Sequence, residues 1–150
     1  MAKLQVSKFT AATCLITILY FASSALPAQG RHAVNLTNES LPFSDGIIAG
    51  NTLYVSGTQG TDSHGKLENG ISAQTRAALE TIRKVVTKAG FKMSDVVAVN
   101  VYLSDIQDFA AMNKVYATFF PNPKPTRTTI QAAALVNGAK IEISAIAARK

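Results

Sequence analysis

A single α+β domain, built on a mixed β-sheet with two helices on one face, is the architecture this sequence predicts. A chain of 150 residues, 47% hydrophobic and without an internal repeat, suffices for one core of ordinary domain size. Ile71 to Ala89 repeats its apolar residues at helical spacing, whereas Val96 to Leu103 is a nearly unbroken β-branched run. In chain order the elements read β-β-α-β-α-β-β, and two helices cover only one face of such a sheet. The open face then needs a cover, and in a chain this short the simplest one is another copy.

Residues 1–28 read as a secretory signal peptide. Lys3 and Lys8 precede an apolar run from Phe9 to Ala22, and small residues follow up to Ala28. Cleavage is expected after Ala25 or Ala28, with Ala28 favoured. The alternative is an uncleaved anchor, since Phe9 to Ala28 is just long enough to span a bilayer. The expected destination is secreted or periplasmic, with no membrane attachment after cleavage. Cys14 is the only cysteine and lies in this segment, so the mature chain carries no thiol, and its stability rests on packing or oligomerisation. Residues 29–42 are polar and aperiodic and end at Pro42, which predicts a linker or extended arm ahead of a domain over 43–150.

Gly46 to Ala49 and Thr52 to Ser56 are short β-rich runs, and Gly50-Asn51 between them signals a hairpin turn with positive φ. The glycine-dense stretch Gly57 to Gly70 lacks both phosphate-loop spacings and reads as turns. The helix from Ile71 to Ala89 stops at Gly90, a residue suited to a left-handed end. After the strand Val96 to Leu103, Ser104-Asp-Ile-Gln107 matches a capping box that opens a second helix to about Phe119. Its buried stripe should be Ile106, Phe109, Asn113, Tyr116 and Phe120. Three prolines between Pro121 and Pro125 prevent its continuation. Two strands follow, roughly Arg127 to Ala134 and Lys140 to Ala148.

The formal net charge of +6 falls to +4 without Lys3 and Lys8. Arg76, Arg83, Lys84 and Lys88 share one predicted helix and read as a solvated face, so no nucleic-acid partner is expected. His32 and His64 lack the spacing of a metal site or a catalytic triad, so no metal is assigned. Asn35-Leu36-Thr37 and Asn38-Glu39-Ser40 are glycosylation sequons whose use depends on the host.

Arg127 and Glu142 stand out because each interrupts a segment that otherwise reads as a buried strand. An unpaired ion there costs several kcal/mol, roughly, so each needs water, the other, or a charged ligand. If Asn137-Gly138 closed a simple hairpin, Glu142 would pair near Ala133, about 20 Å from Arg127. Either the two strands are not sheet neighbours, or the two groups meet across a subunit interface. A guanidinium beside Thr129 suits a small carboxylic acid, although a salt bridge between subunits would use the same chemistry. A glutamate on an interface strand can activate water, or it can simply pair with a cation and fix register. Without a thiol, histidine or metal, hydrolysis would need an electrophilic substrate such as an imine.

The segments SGTQG, ISAQTRAALETIRKVVTKAG, DVVAVNVYLSDIQDFAAMNKVYATFF, PTRTTIQAAAL and AKIEISAIA together resemble the reactive-intermediate deaminase family, also called RidA or YjgF. The match runs from about Pro42 to Ala148 and rests on the order and spacing of the segments. The resemblance implies a chorismate-mutase-like α+β fold and a homotrimer whose sheets line a central barrel, with three clefts between subunits. It implies hydrolysis of a small carboxylate-bearing enamine or imine, such as 2-aminoacrylate, to a 2-oxo acid and ammonia, with no cofactor. Arg127 would hold the carboxylate and Glu142 would help activate water. Phe43, Ser56, Gly57, Thr58, Asn113 and Thr129 would line the cleft. Two departures stand out: Phe43 replaces a common tyrosine, and Thr58-Gln59-Gly60 replaces Gln-Ile-Pro. A non-catalytic trimer that binds small carboxylates or client proteins is the second reading. A ribonuclease, an activity ascribed to some relatives, is the third, but the sequence offers it neither a histidine pair nor a basic aromatic groove.

Overall fold

The structure is a computed structural model that describes residues 30–37 and 40–149. Residues 1–28, read from the sequence as a signal peptide and carrying Cys14, and the sequon at Asn38 lie outside the described residues. Strands β1 (Arg31–Val34), β2 (Gly46–Ala49) and β3 (Thr52–Gln59) come first, followed by helix α1 (Gly70–Lys88) and strand β4 (Val96–Leu103). Helix α2 (Phe109–Tyr116) and strands β5 (Thr126–Gln131) and β6 (Ile141–Ala148) complete the chain. They form one six-stranded sheet in the order β1-β2-β3-β6-β4-β5, antiparallel except for the β4–β5 pair.

The order therefore gains one strand over the expected β-β-α-β-α-β-β. Residues 29–42 are not wholly a linker, because Arg31–Val34 pairs with Gly46–Ala49 at the edge of the sheet. Arg31, His32 and Ala33 stay exposed there, and only Val34 enters the core, so four residues at an edge carry too little alternation to reveal a strand. Ala49 pairs with Thr52 across Gly50-Asn51, and Gly50 has φ +60°, as the hairpin reading requires. β3 runs three residues further than expected, into what reads as a glycine-rich loop. It does so through a β-bulge between Val55 and Thr58.

α1 lays Ile71, Ala78, Leu79, Ile82, Val85 and Val86 on the sheet, the periodic face seen in the sequence. Gly90 takes φ +77°, and the Phe91 N–H bonds back to the Val86 carbonyl, closing the helix end. Leu53 and Val55 from β3, Val99 and Val101 from β4, and Ile141 and Ile143 from β6 meet that helix face. The opposite face carries Tyr54, Asn100, Tyr102, Ser144 and Ile146, and no helix among the described residues covers it. Tyr54, and Ile130 on the edge strand β5 opposite Tyr102, are about half exposed.

α2 starts later than expected. Asp105, not Ser104, caps the preceding turn by accepting the Gln107 N–H at 2.9 Å, and regular helix begins at Phe109. Met112, Val115 and Tyr116 are its buried residues and Phe120 is buried just beyond it, so the later half of the expected stripe enters the core and the earlier half does not. Ile106 and Phe109 remain 41% and 39% exposed; the Phe109 ring lies beside Arg127 near the start of β5, and the Ile106 N–H bonds to Gln131 Oε1 at its end.

Candidate functional site

β6 lies between β3 and β4, so β5 and β6 are not neighbours, and the simple hairpin at Asn137-Gly138 does not form. The register also fixes where the two charged residues point. Arg127 sits opposite Val99, and Glu142 sits opposite Tyr102, three residues along the same strand. Residues an odd number apart point to opposite faces. Within one chain, Arg127 and Glu142 therefore stand on opposite sides of the sheet, each with its own set of neighbours.

The first set surrounds Glu142. The ends of β3 and β6, the loop before β2 and the turn at Val136–Gly138 enclose a cleft of about 540 Å³, onto which Phe43, Ser56, Gly57, Thr58 and Glu142 open. Its walls are tied to the sheet by backbone bonds. The Asp45 carboxylate accepts the Leu36 N–H at 2.6 Å, and the Asp45 carbonyl accepts the Ser56 N–H at 2.9 Å. The Ser56 hydroxyl donates to the Ser44 carbonyl at 2.7 Å, so its first task is to hold the loop that carries Phe43. Thr58 donates to the Ser56 carbonyl at 3.1 Å. Phe43 and Val136, 56% and 67% exposed, form an apolar rim over this polar floor.

The second set surrounds Arg127 on the helix face. Its Nη1 donates to Asn113 Oδ1 at 2.8 Å, and its guanidinium carbon lies 4.5 Å from the Tyr116 ring centre and 5.5 Å from that of Phe109. Phe109, Asn113 and Tyr116 share one side of α2, spaced four and three residues apart, so a single helix face builds the socket. The rings stabilise the cation through their quadrupoles, and Asn113 fixes the plane of the fork. Among the described residues no carboxylate pairs with Arg127, although the residue is partly buried. Thr129, two residues along the same face, has a buried hydroxyl without a partner, as does Tyr116. Burial pushes the Tyr116 phenol up to about 12, against the opposing pull of the Arg127 charge.

The structure thus gathers Phe43, Ser56, Gly57, Thr58 and Glu142 in one place and Arg127, Asn113 and Thr129 in another. Sequence reasoning missed Gln59 and Val136 on the first side. It saw Phe109 and Tyr116 on one stripe with Asn113 but took them for core residues. Asn113 in an apolar stripe was the available signal, since a polar group there needs a partner such as Arg127. No group of three or more His, Cys, Asp or Glu converges as a metal site would among the described residues.

One six-stranded sheet with two helices packed on one face defines a single-domain α+β protein. The family model described as Endoribonuclease L-PSP matches residues 35–149, and the chain belongs to that family, which includes the RidA and YjgF proteins. It is 36% identical to RidA from an Antarctic Psychrobacter, covering 74% of this chain and 91% of that one with a TM-score of 0.71. The YjgF gene product of E. coli is 30% identical over 79% of this chain and 99% of its own, with a TM-score of 0.75. E. coli TdcF, solved with bound serine, is 31% identical over 79% and 94%, with a TM-score of 0.71.

Proposed function

We propose that the protein hydrolyses reactive enamines and imines that carry a carboxylate, 2-aminoacrylate among them, to a 2-oxo acid and ammonia. The complete site forms between copies of a homotrimer. One observation carries this reading: Arg127 is braced by Asn113 and by two rings and has no carboxylate of its own among the described residues. A planar fork held in place matches a substrate carboxylate bidentately. The bound serine in TdcF, a small amino acid on a relative, supports the same class of ligand.

The enamine first takes a proton from solvent on its methylene carbon and becomes an iminium. Glu142 of the neighbouring copy accepts a proton from water as the water oxygen bonds to the iminium carbon. That proton then passes to nitrogen, the C–N bond breaks, and ammonia leaves as the hydroxyl returns its proton to solvent and becomes the carbonyl. Arg127 holds the carboxylate throughout and orients the carbon toward the water.

Mixing subunits tests both parts of the proposal. Arg127→Ala and Glu142→Gln are each expected to release pyruvate and ammonia from enzymatically generated 2-aminoacrylate at least about a hundredfold more slowly than wild type, with a residual rate still above buffer. After joint refolding, every mixed trimer regains one intact site, about a quarter of wild-type activity for an equal mixture. Wild-type protein no faster than buffer removes the deaminase. Activity in the wild type without recovery on mixing removes the shared site. Tight binding of a small carboxylate with no turnover would favour the non-catalytic reading.

A further inference from the structure

Glu142 is held from two directions. A Cβ built on Gly57 would come within 2.9 Å of the Glu142 carboxyl carbon, closer than real Cβ atoms approach, so the carboxylate fills space that only glycine leaves open. On its other side stands Gln59, directly opposite Glu142 in the sheet register. Its Nε2 lies 3.0 Å from the Val136 carbonyl and 3.4 Å from Glu142 Oε2. A primary amide has two N–H donors. The shorter bond to Val136 anchors the group and aims the second hydrogen at the carboxylate.

Gln59 reaches this position because of the bulge. Between the pairs Val55↔Ala145 and Thr58↔Ile143, Ser56 and Gly57 together face Ser144 alone. One extra residue reverses the alternation for the rest of the strand. Without it, Gln59 would point with Leu53 and Val55 toward the helices, where its amide would need buried partners. The same bulge that places Gly57 under the carboxylate therefore turns Gln59 toward it.

We propose that Gln59 is a positioning residue for Glu142, its amide fixing one carboxylate oxygen while Gly57 leaves room for the other. This rests on the reading of Glu142 as the group that activates water. The amide does not exchange the proton; it sets where the accepting oxygen stands.

Gln59→Met keeps the length of the side chain and removes both donors. Kinetics on generated 2-aminoacrylate are compared for wild type, Gln59→Met, Glu142→Gln and the double variant. Gln59→Met is expected to lower kcat about tenfold, the effect of one hydrogen bond to a charged group, with KM within about twofold. In the Glu142→Gln background, the same substitution should change the residual rate by less than about twofold, because the group it positions is gone. An equal fold loss in both backgrounds, or a wild-type kcat for Gln59→Met, overturns the proposal. A crystal structure of Gln59→Met decides the point without turnover: Glu142 should leave its place against Gly57, and an unmoved carboxylate overturns it. Wild-type protein without activity would sink the deaminase reading alone.

Discussion

Replacing Arg127 by alanine removes one hydrogen bond to Asn113, two ring contacts, and the cation that the proposed chemistry sets against the substrate carboxylate. For the fold the effect is small. The lost contacts are worth about 1–2 kcal/mol together, and relief of a half-buried charge with no acid partner offsets part of that. Stability should therefore change by about 1 kcal/mol or less in urea denaturation. For catalysis the effect is large. Two charge-assisted bonds to a carboxylate, at about 1.5–3 kcal/mol each, come to roughly 3–4 kcal/mol once their overlap is allowed for. At about 1.4 kcal/mol per factor of ten, kcat/KM should fall by about two to three orders of magnitude. Arg127→Lys keeps the charge and loses the fork, so it should fall between, at about tenfold. The assay follows pyruvate and ammonia from 2-aminoacrylate generated in situ. An Arg127→Ala protein that folds like wild type and keeps kcat/KM within about threefold would refute the carboxylate grip.

Two further predictions concern the frame of the site. The Tyr116 phenol has its folded pKa pushed up from 10.0 to about 12, so its neutral form contributes stability fully below about pH 10 and loses it as pH rises through 12. Wild type should shed on the order of 2 kcal/mol over that window, and Tyr116→Phe should lack this slope; parallel curves of urea midpoint against pH would contradict it. Val34→Ala should cost about 1–2 kcal/mol because β1 belongs to the core. An unchanged urea midpoint would return residues 29–42 to the role of a linker.

Long periodic segments were legible, and local devices were not. α1 announced itself through the spacing from Ile71 to Val86 and through Gly90, and β4 through its β-branched run. The demand that Arg127 and Glu142 find partners elsewhere was also readable, since two charges in strands raise that question before any topology is known. Which route answered it was not readable. Placing β6 between β3 and β4 depends on long-range pairing, and pairing leaves no mark on either segment alone. The bulge at Ser56-Gly57 was invisible for a related reason: one added residue changes which side Gln59 takes without changing any residue type. Asp105 rather than Ser104 caps the turn that precedes α2, and neighbouring polar residues that can each cap look alike in the sequence.

The position of β6 has a consequence for how the molecule is made. β6 follows the other five strands in the chain, and it is the one that joins the two halves of the sheet, β1-β2-β3 on one side and β4-β5 on the other. Until Ile141 to Ala148 is made, the two halves have no strand to pair through, and Leu53, Val55, Val99 and Val101 border an unfilled apolar seam. Deleting β6 should therefore leave two unjoined half-sheets rather than a smaller folded product.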